Sequence, residues 1–272
     1  MIRAKKSLGQ NFLTDRNVLS RIAECVALAP TDRILEVGPG KGALTELLVP
    51  GCARLVAVEL DSRLVPLLRE KFAGNPRVEI VEADILAVDI QTLLAPTVGQ
   101  QWKVAANLPY NISTPVLFAF LEHRALFSRL VLMLQKEVGD RLAATPGGKE
   151  YGALSVLFRL YFDVVREFIV KPGSFHPVPK VDSAVLSFVP LSEPRVAVGD
   201  ERLFRRVVKG AFAMRRKTIW NCLKGASLGV ADEAIAAALD DSGIDLQRRG
   251  ETLTLDEFAL LTRALLMRRL PE

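Results

Sequence analysis

The sequence predicts an α/β domain with a mostly parallel sheet, followed by a small all-helical domain. The first two thirds of its 272 residues alternate short apolar runs with segments of helical spacing, a pattern typical of parallel α/β domains. Half of the residues are hydrophobic, so the chain can bury one full core and a second, smaller one. We therefore expect a sheet-containing domain at residues 1–190 and a helical domain at residues 191–272.

The elements of the first domain can be placed in order. Asp15 is positioned to cap a first helix that reaches Leu28, and Pro30 stops that helix. Apolar runs predict strands at residues 33–38, 54–60, 78–83, 103–106, 130–134, 166–170 and 184–189. Helical spacing between them predicts helices at residues 44–49, 63–72 and 114–123.

The domain boundary is predicted in residues 189–200, which carry two prolines and a glycine with little periodicity. Beyond it, helical spacing occurs at residues 203–212, 219–223, 232–239 and 255–267. Ser242-Gly243 and Arg249-Gly250 interrupt this spacing. The second domain is therefore predicted to contain helices only.

Composition narrows the class of protein. No apolar run is long enough for a membrane span, and the first residues lack the apolar core of a signal peptide, so we expect a cytoplasmic protein. Cys25, Cys52 and Cys222 are widely separated and form no CxxC pair, which argues against a disulfide framework or a zinc site. His123 and His176 are the only histidines, so histidine-based metal or triad chemistry has little basis. Carboxylates alone could hold magnesium, but no metal is expected.

A glycine-rich loop, ILEVGPGKGALT at residues 34–45, follows the first strand of the sheet. Gly38, Gly40 and Gly42 would let the backbone turn sharply and approach a ligand at the carboxyl edge of the sheet. Their spacing is one residue shorter than the dinucleotide-binding GxGxxG, and Glu36 precedes them inside the strand. The loop therefore argues against NAD as the ligand.

Carboxylates follow the next two strands at the same edge. Glu59 ends the second strand, where a carboxylate can accept both hydrogen bonds of a ribose diol, although helix capping is the alternative for it and for Asp61. Asp84 follows the third strand and can accept from the exocyclic amine of an adenine held between Leu60 and Ile85. Together these side chains predict a site for an adenosine without a pyrophosphate.

The fourth strand ends in Asn107-Leu108-Pro109-Tyr110. Asparagine and proline are common turn formers, so the tetrapeptide taken alone is compatible with a simple turn. The tetrapeptide also resembles the N-[LI]-P-[YF] signature of enzymes that methylate the exocyclic amine of adenine, which is a poor nucleophile. The resemblance implies that the Asn107 side-chain oxygen and the Leu108 carbonyl hold the N–H groups of that amine so that its lone pair faces the methyl donor. Pro109 would fix the turn, and Tyr110 could stack on the base.

A further aromatic residue, Phe175, lies in the segment SFHPVPKVDS that precedes the last predicted strand. We expect it to close the other face of the target base. The alternative is a core phenylalanine in a loop that is stiffened by prolines.

These motifs resemble those of the class I methyltransferases that depend on S-adenosylmethionine (SAM) and have a Rossmann-like fold. Residues 36–42, EVGPGKG, are similar to their ExGxGxG loop, and residues 107–110 to the N-[LI]-P-[YF] signature of enzymes that methylate the adenine amine. With residues 9–13, GQNFL, and residues 175–183, the motifs make the whole chain similar to the ribosomal RNA adenine dimethyltransferases. Within that family it is most similar to the bacterial small-subunit type.

The resemblance implies SAM as methyl donor and two methyl transfers to each of two adjacent adenines near the 3′ end of 16S rRNA. The cofactor site that it implies, combined with the residues identified above, consists of Asn11, Leu13, Glu36, Gly38, Gly40, Gly42, Glu59, Leu60, Asp84, Ile85 and Asn107. The expected catalytic residues are Asn107, Leu108, Pro109, Tyr110 and Phe175.

Basic side chains cluster at the start of the helical domain. Residues 201–224 contain one acidic residue and eight basic ones, namely Arg202, Arg205, Arg206, Lys209, Arg215, Arg216, Lys217 and Lys224. Such a run can be a solvated helix face, but in this family it is expected to contact RNA phosphates. The predicted partner is 16S rRNA within a small ribosomal subunit or its precursor, bound by a monomer without a membrane contact.

Two other functions remain open from the sequence. One is methylation of 23S rRNA adenine, as in enzymes of antibiotic resistance. The other is a non-catalytic RNA-binding factor on the same fold, which the intact glycine loop and Asn-Leu-Pro-Tyr disfavour.

Overall fold

The structure, a computed structural model, describes residues 4–5, 8–94 and 100–268. The chain forms two compact units, one of Met1–Gly139 with Asp163–Pro190 and the other of Asp140–Phe162 with Leu191–Glu272. The sequence had placed all of residues 1–190 in the first domain, so its division is wrong for Asp140–Phe162. This insertion begins inside a helix, where no linker composition marks a boundary.

The first unit is an α/β layer structure whose strands carry the predicted pattern. Its sheet is formed by β2 (Arg33–Val37), β3 (Arg54–Glu59), β4 (Val78–Glu82), β5 (Trp102–Asn107), β6 (Phe127–Gln135), β7 (Phe162–Val170) and β9 (Ser183–Pro190). Helix α1 (Arg16–Val26) precedes these strands, and between them lie α2 (Ala43–Leu48), α3 (Val65–Lys71), α4 (Ile90–Leu94) and α5 (Ser113–Glu122). Every strand predicted for the sheet is confirmed, with shifts of a few residues at the ends.

The strand order within the described residues is β4-β3-β2-β5-β6-β9-β7. The neighbours from β4 to β6 pair in parallel, and β9 pairs antiparallel with β6. The central strands are buried along most of their length, as expected for parallel strands covered on both faces. The sheet therefore confirms the α/β class with a mostly parallel sheet.

A short antiparallel ribbon lies outside the main sheet. It consists of β1 (Phe12–Leu13) and β8 (Phe175–His176), in which Leu13 is opposite Phe175 and Phe12 is opposite His176. The sequence predicted neither strand. Opposed residues of an antiparallel pair share one face, so Leu13 and Phe175 lie on the same side of the ribbon.

The second unit is helical in the part that the structure describes. Its helices are α7 (Ala153–Tyr161), α8 (Glu201–Ala211), α9 (Ile219–Lys224), α10 (Asp232–Asp241) and α11 (Leu255–Leu266), and α6 (Lys136–Ala143) crosses from the first unit into it. Asp200 caps α8 as a hydrogen-bond acceptor, and Thr254 with Glu257 forms a capping box on α11. The Tyr151 hydroxyl donates to the carbonyl of Leu253 at 3.0 Å, which ties the inserted segment to the C-terminal helices.

No helix among the described residues is both long enough and apolar enough to span a bilayer.

Candidate active site

The chain's path through the sheet creates a crevice beside β2. From β2 the chain continues to β3 and β4 on one side, whereas β5 and β6 lie on the other. Val37 pairs with both Val58 and Ala106, so the parallel strands end at nearly the same level. In open parallel sheets, ligands bind at the carboxyl ends of the strands where the connections diverge in this way.

A pocket occupies this crevice, and the ends of four strands form its walls. Most of the predicted site residues line it, namely Asn11, Gly38, Gly40, Glu59, Leu60, Asp84, Ile85, Asn107, Leu108, Pro109 and Tyr110. Other residues that line the pocket were not predicted from the sequence, including Gln10, Phe12, Val37, Val58 and Asn111. Gln10 and Phe12 belong to the GQNFL motif, which was the available signal for them.

The glycine loop closes one side of the pocket. Gly38 donates its N–H to the carbonyl of Val58 at 2.9 Å, which holds the start of the loop against β3. Gly40 has φ +61°, and a Cβ at this position would lie 3.1 Å from the ring of Phe12. A side chain here would therefore strain the backbone and push Phe12 out of place.

The carboxylate of Glu59 is fixed by two backbone N–H donors. Its Oε2 accepts from Gly40 at 3.0 Å, and its Oε1 accepts from Asp61 at 2.8 Å. Burial raises the pKa of Glu59, while these two hydrogen bonds oppose that rise. Because neither donor is in the first turn of α3, the side chain does not cap a helix and keeps lone pairs for a hydroxyl donor in the pocket.

The end of β4 provides a second acceptor with apolar neighbours. Asp84 Oδ1 accepts the N–H of Leu86 at 2.9 Å, which orients the carboxylate at the pocket wall. Ile85 is buried, whereas Leu60 is 48% exposed. This combination suits a planar base that carries an amine on its edge.

The charge of the pocket distinguishes between classes of nucleotide ligand. Two carboxylates line it, and its described walls contain no lysine, arginine or histidine. A pyrophosphate would therefore meet negative charge without a compensating cation. These two hydrogen-bond acceptors with negative charge fit an adenosine that carries positive charge, which is the chemistry of SAM.

Glu36 lies behind the glycine loop and not in this pocket. It lines a second cavity, which also contains Leu13, Arg16 and Lys41 and shares the walls Phe12, Gly38, Gly40 and Asn107 with the first. Glu36 is 2% exposed, and its Oε2 has no partner among the described residues. Burial raises the pKa of Glu36 to about 7.

Glu36→Gln is expected to flatten the pH dependence of stability in the ligand-free protein. A carboxyl whose pKa rises from 4.5 to about 7 on folding gives stability that is present below pH 4.5 and is lost as pH rises to about 7. The free energy of unfolding of the variant, relative to wild type, should thus increase by about 3 kcal/mol between pH 4 and pH 8. Urea unfolding across this range measures it.

Glu46→Gln, at an exposed position on α2, serves as the matched control, and it should leave the profile close to that of wild type. Parallel profiles for wild type and Glu36→Gln would contradict the role of Glu36.

The tetrapeptide that begins at the last residue of β5 lines the first pocket. The Asn107 side chain donates Nδ2–H to the carbonyl of Asn11 at 3.2 Å, which leaves its Oδ1 available as an acceptor. Leu108 donates its N–H to the carbonyl of Met133 at 3.2 Å, and its side chain is buried. These contacts hold the Leu108 peptide group and the Asn107 side-chain amide in place, as hydrogen bonding to a substrate amine requires.

Tyr110 is half-buried at the edge of the same pocket. Its hydroxyl and the Ser183 hydroxyl are 2.8 Å apart and share a hydrogen bond, and burial raises the pKa of Tyr110. The Ser113 hydroxyl donates to the Tyr110 carbonyl at 3.1 Å. The ring is thus held at both its hydroxyl and its backbone.

Besides Glu36, three more of the predicted site residues lie outside this pocket. Phe175 and Leu13 are 3% and 8% exposed and belong to the hydrophobic core, because they share one face of the β1–β8 ribbon. Phe175 is therefore the core phenylalanine of the alternative interpretation, and Phe12, on the opposite face of β1, is the aromatic wall of the pocket. Gly42 lines neither cavity. It packs against Phe72 instead, because a Cβ at this position would lie 2.9 Å from the Phe72 ring.

The predicted basic cluster lies on α8, on α9 and between them in the second unit. Arg215 donates to the carbonyl of Lys149, and its Nε is 3.7 Å from Glu251 Oε2. Arg216 and Lys217 are exposed in the same connecting segment. Lys224 pairs with Asp232 at 2.8 Å and lies 5.1 Å from the ring centre of Trp220.

Within residues 4–5, 8–94 and 100–268, no group of three or more His, Cys, Asp or Glu side chains is arranged to hold a metal ion.

Comparisons with known proteins place the chain in a family. The profile of the family described as ribosomal RNA adenine dimethylase matches residues 1–263. A relative from Geobacter metallireducens, named "Ribosomal RNA small subunit methyltransferase A", is 72% identical over 265 residues, which cover 97% of this chain and 96% of the relative.

Two solved structures are similar over most of the chain. The 23S rRNA methyltransferase ErmE has a TM-score of 0.70 and 28% identity, covering 94% of this chain and 99% of its own. A dimethyladenosine transferase from Plasmodium falciparum has a TM-score of 0.79 at 24% identity, covering 92% and 95%, and shows likeness of fold alone. The family profile and the full-length relative agree with the geometry of the pocket, and the chain belongs to the ribosomal RNA adenine dimethylase family.

Proposed function

We propose that the chain transfers methyl groups from SAM to the exocyclic amines of two adjacent adenosines near the 3′ end of 16S rRNA. The observation that carries this proposal is the oriented amide of Asn107, which presents an acceptor to a pocket whose other walls include Glu59 and Asp84. Supporting it is the relative with 72% identity, whose name assigns it to the small ribosomal subunit.

The donor pocket suits SAM residue by residue. Glu59 is placed to accept from the ribose hydroxyls, Asp84 from the adenine amine, and Leu60 and Ile85 to cover the faces of the base. When bound, SAM supplies an electrophilic methyl group on a positively charged sulfur. The carboxylates of Glu59 and Asp84 favour that positive charge.

The acceptor site works by orientation. The Asn107 oxygen and the Leu108 carbonyl each accept one N–H of the adenine amine, which favours a tetrahedral nitrogen with its lone pair aimed at the methyl group. Pro109 has no N–H to compete for these acceptors. The transferred methyl leaves the nitrogen cationic and acidic, so its proton can pass to solvent without a dedicated base.

Two transfers to one nitrogen require that the singly methylated amine rotates and presents its remaining hydrogen. Tyr110 provides a flat wall along which the base can shift, and its bond to Ser183 keeps the wall in place. Either of the two acceptors, the Asn107 amide oxygen or the Leu108 backbone carbonyl, can hold this one remaining hydrogen.

RNA binding is assigned to the basic cluster of the second unit, with Arg216 and Lys217 among its exposed members. Phosphate contacts supply affinity that does not depend on sequence, and the fit of the adenine in the pocket supplies the choice of base. The enzyme acts as a cytoplasmic monomer on the small subunit or its precursor.

Mass mapping of modified nucleosides tests the proposed function. Purified protein, SAM and undermethylated small subunits should yield N6,N6-dimethyladenosine in the 3′-terminal fragment of 16S rRNA, and Asn107→Ala protein serves as the control for a copurifying methylase. Naked 16S rRNA and 23S rRNA are incubated in parallel.

Methylation of 23S rRNA instead would favour the resistance-type function that the ErmE likeness makes worth testing. No transfer to any of these RNAs, with RNA binding retained, would favour the non-catalytic factor.

A further inference from the structure

The residues 8–12, here called the strap, form one continuous wall of the donor pocket. They precede α1 and include the first residue of β1. The strap lies beside the ends of both β3 and β5, because its members line the same pocket as Glu59 and Asn107. It is therefore in a position to cover the methyl donor and to contact the turn that contains Asn107.

Two hydrogen bonds attach the strap to these strand ends. On the donor side, Gln10 donates Nε2–H to Asp61 Oδ2 at 2.9 Å. On the acceptor side, Asn107 donates to the Asn11 carbonyl at 3.2 Å. The Gln10 oxygen accepts the N–H of Lys5 at 2.7 Å, so both ends of its amide are engaged.

Asp61 is a rigid anchor for the first of these bonds. It is 3% exposed, and Arg63 donates Nε–H to its Oδ1 at 2.8 Å and Nη2–H to its Oδ2 at 2.6 Å. The hydrogen bonds from Arg63 hold the pKa of Asp61 far below its usual range, so it stays charged across the neutral range. A hydrogen bond to a fixed charge is stronger than one between neutral groups.

The anchor is connected directly to the predicted ribose acceptor. The backbone N–H of Asp61 donates to Glu59, and the other Glu59 oxygen accepts from Gly40. Hydrogen bonds thus connect Gln10 through Asp61 to the Glu59 carboxylate and to the glycine loop. Gln10 reaches this network without a contact to the reacting atoms.

We propose that Gln10 is a positioning residue that latches the strap over the donor pocket through Asp61, and that opening of this latch controls donor entry and product release. The inference rests on the proposed function, because it takes the pocket as the SAM site. The latch is a single side-chain bond at the donor side, so the strap can open there while Asn107 still holds it at the acceptor side.

Gln10→Ala tests the latch by its effect on the donor. The dissociation rate of S-adenosylhomocysteine, the demethylated product, should rise about tenfold, as should the Kd of SAM, because a bond to a charged group is lost. The KM for small subunits should stay within about twofold of wild type, since RNA meets other surfaces. Isothermal titration and stopped-flow displacement give the donor constants.

A second measurement separates a latch from a general structural role. Hydrogen exchange of the strap amides in the donor-free protein should accelerate in Gln10→Ala, while the melting temperature remains that of wild type. Gln10→Glu should produce a larger acceleration, because it places a second carboxylate against Asp61. The matched control is Gln101→Ala, which removes an exposed glutamine bonded to the Ala125 carbonyl.

The outcomes are distinguishable. Wild-type protein that does not bind SAM would overturn the proposed function itself. If wild-type protein binds SAM but the dissociation rates are unchanged in both Gln10 variants, the latch alone is overturned. An equal loss of donor affinity in Gln101→Ala would also overturn it.

Discussion

Asn107→Ala is expected to lower the rate of methyl transfer by about two to three orders of magnitude, with a change in SAM affinity of less than about tenfold. The amide oxygen is one of only two acceptors assigned to the adenine amine, so its loss leaves the nitrogen planar and poorly aligned. The donor keeps its contacts with Glu59 and Asp84. A single-turnover measurement isolates the chemical step from product release.

Asn107→Asp provides a sharper comparison than alanine alone. Aspartate retains an acceptor for the amine but cannot donate to the Asn11 carbonyl, which is the bond that orients the native amide. The expected single-turnover rate is therefore intermediate between those of wild type and Asn107→Ala. Asn111→Ala, at an exposed wall of the same pocket, is the matched control and should change the rate by less than about threefold.

A wild-type single-turnover rate in Asn107→Ala would exclude the amide from the acceptor site. Equal rates for alanine and aspartate would show that orientation by Asn11 matters more than the acceptor itself.

The parallel sheet and the edge at which its pocket lies could be predicted from the sequence for a physical reason. A central strand must be apolar on both faces, so a polar residue at its end, such as Asn107 or Glu59, marks both the strand terminus and the pocket edge. Because parallel strands end at the same edge of the sheet, they bring such residues together even when they are far apart in the chain. Most of the predicted pocket walls follow from this rule.

The short ribbon shows where the same reasoning fails. β1 and β8 have two residues each, too few for an alternating pattern to be recognised. Which of Phe12 and Leu13 faces the pocket depends on the pairing of Leu13 with Phe175, and that pairing joins segments far apart in the chain. The aromatic wall was consequently assigned to Phe175 and not to Phe12.

The domain division failed for a related reason. α7 is mostly apolar and is buried at six of its nine positions, and its sequence does not show which of the two units covers it. Its partners, such as Arg195, whose N–H donates to the Leu160 carbonyl at 2.8 Å, come from beyond residue 190. Membership of a unit was therefore decided by contacts between distant segments.

Reversing the charge of Arg215, Arg216 and Lys217 to glutamate is expected to abolish binding to small ribosomal subunits while leaving the SAM Kd unchanged. If each side chain neutralises one phosphate, the slope of log K against log salt should fall by about two to three, and affinity should drop by at least about a hundredfold. Filter binding at several salt concentrations measures both quantities.

The structure distinguishes Arg215 from its two neighbours within this triplet. Arg215 lies 3.7 Å from Glu251 and donates to the Lys149 carbonyl, so its reversal also places like charges together inside the second unit. The double variant Arg216→Glu with Lys217→Glu avoids this destabilisation. It should still show most of the loss of subunit affinity that is expected for the triple variant. Its matched control is Arg69→Glu with Arg77→Glu, which makes the same change in net charge at exposed positions of the first unit. Equal loss in both double variants would mean that net charge, and not this segment, attracts the RNA.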